Sequence, residues 1–195
     1  MNVCIYGAAS NNIDTSFIKA GECLGAALAE NNHAVVYGGG ANGMMGAVAR
    51  GSYSKNGKII GVAPSFFSVD GVLFPNCDEF IYTDTMRQRK QIMEERSDAF
   101  IVTPGGVGTF DEFFEIFSLR QLRRHTKKII IFNINGYFNP LLAMIDSAVE
   151  QHFISPANKE LLNVCSTPEE VIEALNKEDA VTAELTELRD IVANK

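Results

Sequence analysis

The sequence predicts an α/β fold: a doubly wound, Rossmann-like, mostly parallel sheet flanked by helices. Three observations predict it. Short apolar runs alternate along the chain with segments of helical period, the βαβα rhythm of a parallel sheet. Several of those runs are apolar throughout rather than alternating, as strands are when helices cover both faces. Glycine-rich stretches follow two of them, and ligands of such sheets bind beyond the carboxyl ends of the strands, where strand order reverses.

Taken in order, the first strand is expected at residues 3–6 (VCIY), which ends at a glycine, and the second at 34–37 (AVVY), which runs into three glycines. Residues 58–63 (KIIGVA), 99–103 (AFIVT), 128–133 (KIIIFN) and 162–165 (LNVC) supply the others, with a weaker candidate at 79–82 (EFIY). Between them, helices are expected at 16–31, 43–56, 85–97, 109–122, 138–151 and 168–176. Residues 64–78 make the one long irregular stretch, a candidate lid or substrate loop. A single α/β domain therefore spans 1–176. In the tail, 177–195, Val181, Leu185, Leu188 and Val192 recur at helical spacing and predict a short amphipathic helix.

Composition sets the class. At 195 residues the chain fits one domain, which buries roughly 70% of its unfolded surface without disulfide or metal staples. Hydrophobic residues are 46% and charged residues 21%, an ordinary globular balance. A net charge of -7 argues against a nucleic-acid partner, yet a small anionic ligand remains compatible, because local fields can oppose the global charge. Cys4, Cys23, Cys77 and Cys165 lie far apart, with no CxxC pair and no nearby histidine at metal spacing. They read as small buried hydrophobes in a reducing, cytoplasmic setting, with no metal site. The opening MNVCIYGAAS reads as a first strand rather than a signal peptide. No segment approaches the ~20 apolar residues of a membrane span, so no membrane partner is expected.

The strand-end rule selects three loops: 7–12, 38–46 and 104–109. Residues 38–43 (GGGANG, with Gly40 and Gly43) satisfy GxGxxG after a strand. A dinucleotide site would want that pattern after the first strand and an acid about 20 residues onward. The pattern follows the second strand instead, and 58–63 carries no acid. A tight βα turn with close helix packing is the bland alternative. No GxxxxGK[ST] occurs, so the P-loop reading fails.

PGGVGTFDE, residues 104–112, is more specific. It follows an apolar strand and opens a helix, placed by the sequence at Thr109. Glycines let the backbone approach a ligand closely, and a helix N-terminus favours an anion; together they suit a phosphate monoester. Thr109 can donate its hydroxyl to the ligand or cap the helix. Asp111 and Glu112 are expected in the first turn, where acids are common for dipole reasons alone. They point about 100° apart, so one of them faces the crevice. The run MRQRK, 86–90, reads either as a solvated basic patch or as the source of an arginine that reaches the same crevice.

These motifs resemble the Lonely Guy family of cytokinin-activating enzymes, older descriptions of which say lysine decarboxylase-like. PGGVGTFDE is similar to the family's PGGxGTxxE, MRQRK to its MxxRK segment, and YGGGANGMMG to its YGGGxxGLMG. The segment 135–154 also reads like a family segment, and the likeness runs from about Val3 to Leu175. It implies a nucleotide N-glycosidase that converts N6-substituted adenosine 5′-monophosphates to free base and ribose 5-phosphate. Arg89 and Glu112 would be the catalytic pair. Substrate contacts would come from Lys90, Gly105, Gly106, Val107, Gly108, Thr109 and Asp111, with Gly40 and Gly43 in the second glycine loop. Ser118 matches a family threonine contact, and Ser10 is the hydroxyl kept in the first loop, which here reads GAASN. Asp70 is the nearest candidate for a base-side acid, in a stretch that departs from the family pattern.

The implied reaction passes through an oxocarbenium-like ribose, which a carboxylate such as Glu112 stabilises while orienting water. No cofactor is implied. The helix 110–122 is rich in phenylalanine; Phe110, Phe114 and Phe117 share one stripe and read as core, widened by Phe113. Such a helix is buried either within one subunit or by a second one, and the family resemblance implies a homodimer. Rival readings are a non-catalytic nucleotide carrier of the same fold and a broader nucleoside 5′-monophosphate glycosidase. A pyridoxal-phosphate decarboxylase would need a Schiff-base lysine, and no lysine has a sequence context that marks it as one.

Overall fold

The computed structural model describes residues 1–67, 71–178, 181 and 183–189. Among these residues seven strands form one sheet: β1 (Asn2–Tyr6), β2 (Ala34–Tyr37), β3 (Ile59–Pro64), β4 (Glu79–Thr83), β5 (Ala99–Val102), β6 (Lys128–Phe132) and β7 (Leu162–Cys165). The helices are α1 (Thr15–Glu30), α2 (Gly43–Ser54), α3 (Met86–Glu95), α4 (Val107–Gln121), α5 (Asn139–Glu150), α6 (Pro168–Asn176) and α7 (Leu185–Leu188). Spatial order is β4-β3-β2-β1-β5-β6-β7, and every pairing is parallel. The expected doubly wound sheet is therefore what forms.

Alternation within the apolar strands explains why they need no polar face. On β1, Val3 and Ile5 pack with Leu24 and Leu28 of α1. Cys4 and Tyr6 point to the other face and pack with Met93 of α3 and Phe113 of α4. Each strand residue thus buries its side chain against one helical layer or the other. Strand order reverses between β1 and β5, and the loops leaving those two strands share a crevice. Backbone bonds tie them together: Ala8 N donates to the carbonyl of Pro104, and Met45 N to the carbonyl of Ala8.

The weak strand candidate is a full edge strand, β4, paired over five positions with β3. Other boundaries shift by one or two residues. Two corrections are larger. Cys23 is exposed and Cys77 half-buried, so only Cys4 and Cys165 behave as buried hydrophobes; all four thiols are free. On α4 the phenylalanine stripe is rotated from the expected one: Phe113 and Ile116 are fully buried, whereas Phe114 is 39% exposed. The inward face of α4 runs through Thr109, Glu112, Phe113, Ile116 and Arg120. That stripe carries two polar residues of the glycine-loop motif inward together with the core.

The irregular stretch after β3 begins with a short 3-10 turn, Ser65–Phe67, and returns to pair with the second glycine loop. Gly40 bridges Leu73, Ala41 N donates to Val72, and Phe74 N donates to Gly39. Of the expected tail helix, Leu185 and Leu188 lie in α7, and Leu188 packs with Leu161 and Ala183; Val192 lies outside the described residues. Among the described residues, no helix is long and apolar enough to cross a membrane.

Candidate active site

A cavity of about 520 Å³ opens at the carboxyl ends of the central strands. All three loops selected by the strand-end rule reach it: Gly7 to Ser10 from the first, Gly38, Gly40 and Asn42 from the second, and Gly106, Gly108 and Thr109 from the third. Arg89 and Glu112 also line it. The two side chains meet with Arg89 Nη1 donating to Glu112 Oε1 at 2.8 Å, each side chain only 8% exposed. Arg89 is steadied further by Nε, which donates to the carbonyl of Val62 at the end of β3.

The third loop, expected to cradle an anion, folds in a different register from that expected. Helix α4 starts at Val107 with Gly106 as its N-cap, and the cap makes no side-chain bond. Thr109 therefore lies inside the helix, buried and lining the cavity, and does not cap it. Asp111 and Glu112 fall in the second turn; the first turn carries no acid. The dipole explanation for these acids fails with that shift, and Glu112 is inside because it lies on the core-facing stripe. The first backbone N–H groups of α4 have no intrahelical acceptor by helix geometry. Side chains added at Gly106 or Gly108 would meet nothing within 4 Å, so the backbone there is open to a ligand.

The remaining expected residues separate into those at the cavity and those behind or outside it. Ser10 is at the rim, its hydroxyl accepting from Asn12 N. Gly40 lines the wall. Gly43 does not line it: its N–H donates to Asn11 Oδ1, and a side chain there would press into the carbonyl of Ala8. The packing-turn reading of residues 38–43 thus holds for Gly43. Gly105 is buried behind the cradle, its carbonyl accepting from the Tyr137 hydroxyl at 2.5 Å. Val107 is 84% exposed on the outer face of α4. Lys90, Asp111 and Ser118 also lie off the cavity. Lys90 Nζ bonds Asp111 Oδ2 at 3.0 Å and Glu115 Oε2 at 2.5 Å, and Ser118 is exposed on the same side of α4. Val107, Asp111 and Ser118 lie off the inward stripe of α4, and Lys90 of α3 is drawn to the carboxylates of Asp111 and Glu115 there. Asp70 lies outside the described residues.

Sequence reasoning missed two groups. Met45, Phe67, Val72, Leu73 and Met86 give the cavity an apolar wall. The apolar triplet VLF, residues 72–74, within the irregular stretch was the available signal. Tyr137, held edge-on between Phe17 and Phe138, orients the cradle through the Gly105 carbonyl; nothing local marks it.

Electrostatics distinguish the two acid–base sets. Burial pushes the Glu112 carboxyl above the usual glutamate range, and the facing Arg89 pulls it back only partly. For Lys90, partial burial acts to lower its pKa, but bonds to Glu115 and Asp111 outweigh it and hold the amine above its ordinary value. A carboxylate poised in this way, beside an anion cradle and an apolar wall, suits a ligand with a phosphate at one end and a flat apolar group at the other. The carbon between them can then meet Glu112.

Known proteins place this geometry in context. The family profile described as "Possible lysine decarboxylase" matches residues 45–175. A probable cytokinin riboside 5′-monophosphate phosphoribohydrolase of Oryza sativa subsp. japonica is 37% identical over 89% of this chain and 69% of its own. A cytokinin riboside 5′-monophosphate phosphoribohydrolase of Arabidopsis thaliana is 35% identical over 90% and 81%. One from Rhodococcoides fascians is 35% identical over 89% and 88%. Among solved structures, the molybdenum cofactor binding protein of Rippkaea orientalis superposes with a TM-score of 0.67 at 22% identity, covering 89% of this chain and 93% of that one. At that identity the likeness concerns the fold.

Proposed function

The chain belongs to the Lonely Guy family, and from that premise we propose that it is a phosphoribohydrolase that cleaves the N-glycosidic bond of adenosine 5′-monophosphates bearing N6 substituents. The single observation that carries this reading is the buried Arg89–Glu112 pair set against the open N-terminus of α4.

The 5′-phosphate sits at Gly106, Gly108 and Thr109, where the helix N-terminus favours an anion. The base and its N6 group lie on the apolar wall of Met45, Phe67, Val72, Leu73 and Met86. Between these ends, the anomeric carbon faces Glu112. As the bond from that carbon to the base nitrogen breaks, its electron pair leaves with the base, and the ribose turns positive. The Glu112 carboxylate stabilises that charge and accepts a proton from the attacking water. The water oxygen bonds the anomeric carbon, the departing base takes up a proton, and ribose 5-phosphate and free base result. Arg89 keeps Glu112 ionised in its buried setting and offers Nη2, which bonds no described residue, to a substrate oxygen. Among the described residues no lysine lines the cavity, which argues against a Schiff-base decarboxylase.

The protein also acts as a homodimer in this reading, and in the cytoplasm. Met86 at the cavity and Val107 and Phe114 on α4 leave exposed apolar surface, and four free thiols suit a reducing compartment. Sedimentation velocity at working concentration should give a dimer; a monomer contradicts it. The reaction is tested by offering AMP, N6-isopentenyl-AMP, other nucleoside monophosphates and the unphosphorylated riboside, then separating products by chromatography. Free base and ribose 5-phosphate from the N6-substituted nucleotide are expected. Tight nucleotide binding with no product would favour a carrier, and equal turnover of the riboside would remove the phosphate cradle.

A further inference from the structure

Gly38 opens the second glycine motif, yet the close-packing role found for Gly43 does not explain it. Its backbone lies at the end of β2, against the guanidinium of Arg89. A methyl group there would overlap Arg89 Nη2 and come within 3.0 Å of Cζ. No other group at Gly38 is so close; next is Met45 Sδ at 3.1 Å, a flexible thioether able to yield. Gly38 also differs from Gly39 (φ 75°) and Gly43 (φ 60°) in having no left-handed backbone. Alanine is therefore conformationally acceptable at 38 and strained at the other two.

The clash falls on a side chain fixed at two points. Arg89 reaches its place through the Val62 carbonyl and Glu112 Oε1. An added methyl at Gly38 does not require the backbone to move; it requires the guanidinium to leave. The open cavity beside it gives the side chain somewhere to go. We propose that Gly38 is a positioning residue for the glycosidic cleavage, its missing side chain being the space that lets Arg89 lie against β2 and grip Glu112. This rests on the reading of Arg89 and Glu112 as the reacting pair. It gives the first glycine of the YGGG run a role distinct from phosphate binding: one glycine motif cradles the anion, and the other clears room for the cation.

The test is Gly38→Ala, assayed for base release with folding checked by thermal melting. A folded protein with kcat/KM reduced on the order of 10–100-fold is expected, since one charge-stabilising contact is misplaced rather than removed. A loss of packing alone would not move the pH profile, whereas losing Arg89 does. The charged and titratable groups around Glu112 are Arg89 and Lys90 from α3, Asp111 on its own helix, and Cys4 and Tyr6 from β1. With Arg89 displaced, burial dominates, so the acid limb of kcat/KM moves to higher pH. In an Arg89→Ala background, Gly38→Ala should cost nothing further and should melt as that parent does. Wild-type rate and pH profile in a folded Gly38→Ala overturn the proposal, as does a full additional loss, or unfolding, in the Arg89→Ala background. If Arg89→Ala and Glu112→Gln themselves keep wild-type turnover, it is the assignment of the pair that fails.

Discussion

Of the three ion pairs that join α3 to α4 among the described residues, two are formed by adjacent residues on both helices. Arg89 meets Glu112 at 2.8 Å with both side chains 8% exposed, whereas Lys90 meets Asp111 at 3.0 Å with exposures of 21% and 62%. The distances are nearly equal, so geometry of contact does not separate them. Solvent does. The inner pair is desolvated, and its carboxyl is pushed above the usual range, the condition under which a small field change alters protonation. The outer pair is screened, and such pairs contribute at most about 1 kcal/mol. One residue step along each helix thus separates a buried, desolvated pair from a surface tie.

The comparison breaks most directly at its inner member. Glu112→Gln should leave a folded protein whose kcat falls about 10²–10³-fold; product release at the wild-type rate would erase the contrast. Arg89→Ala should lower kcat/KM by a comparable or somewhat smaller factor and raise the pH at which activity is lost on the acid side. The sign follows because Arg89 acts to lower the pKa of Glu112 while burial raises it, so removing the cation leaves burial unopposed. An unmoved limb would mean that Arg89 does not set the charge of Glu112. Tyr137→Phe deletes the hydroxyl that holds the Gly105 carbonyl. It should raise KM several-fold for the nucleotide while leaving kcat closer to wild type, because it loosens the cradle and not the carboxylate; equal losses in both would contradict this. The smallest effect is expected at Glu115→Gln, which removes one partner of Lys90. Stability should change by no more than about 1 kcal/mol, less at high salt, and a large loss of turnover would show that the outer set participates.

The fold was legible in the sequence because hydrophobic period reports burial, and apolar strands such as AVVY and KIIIF admit few other readings. Edge strand β4 was only weakly legible, since half-buried strands carry a diluted pattern. The α4 start was misplaced because Gly106-Val107-Gly108 contains poor helix formers, although only Gly106 stays outside the helix, as its N-cap, and Val107 and Gly108 open the first turn. That two-residue shift explains why Thr109 does not cap the helix; which face of α4 turns inward is set by packing, which buries Phe113 rather than Phe114 and leaves Asp111 and Ser118, with Lys90 of α3 bonded to Asp111, outside the cavity. Glu112 could be preferred over Asp111 only once the resemblance supplied a role, because spacing alone said merely that they diverge. Arg89 shared its run with four neighbours and had no local mark. Its contact with Gly38 joins residues 51 positions apart, and no one-dimensional pattern reports such a clearance.

The most direct measurement is the pH dependence of kcat/KM for base release from N6-isopentenyl-AMP by the wild-type protein and by Glu112→Gln. A buried carboxylate that must be ionised predicts a one-proton acid limb in the wild type at a pH above the ordinary glutamate value of 4.5, and no such limb in the residual activity of the variant. The same limb in both proteins, or a variant as fast as wild type, would contradict the assignment of Glu112 as the reacting group.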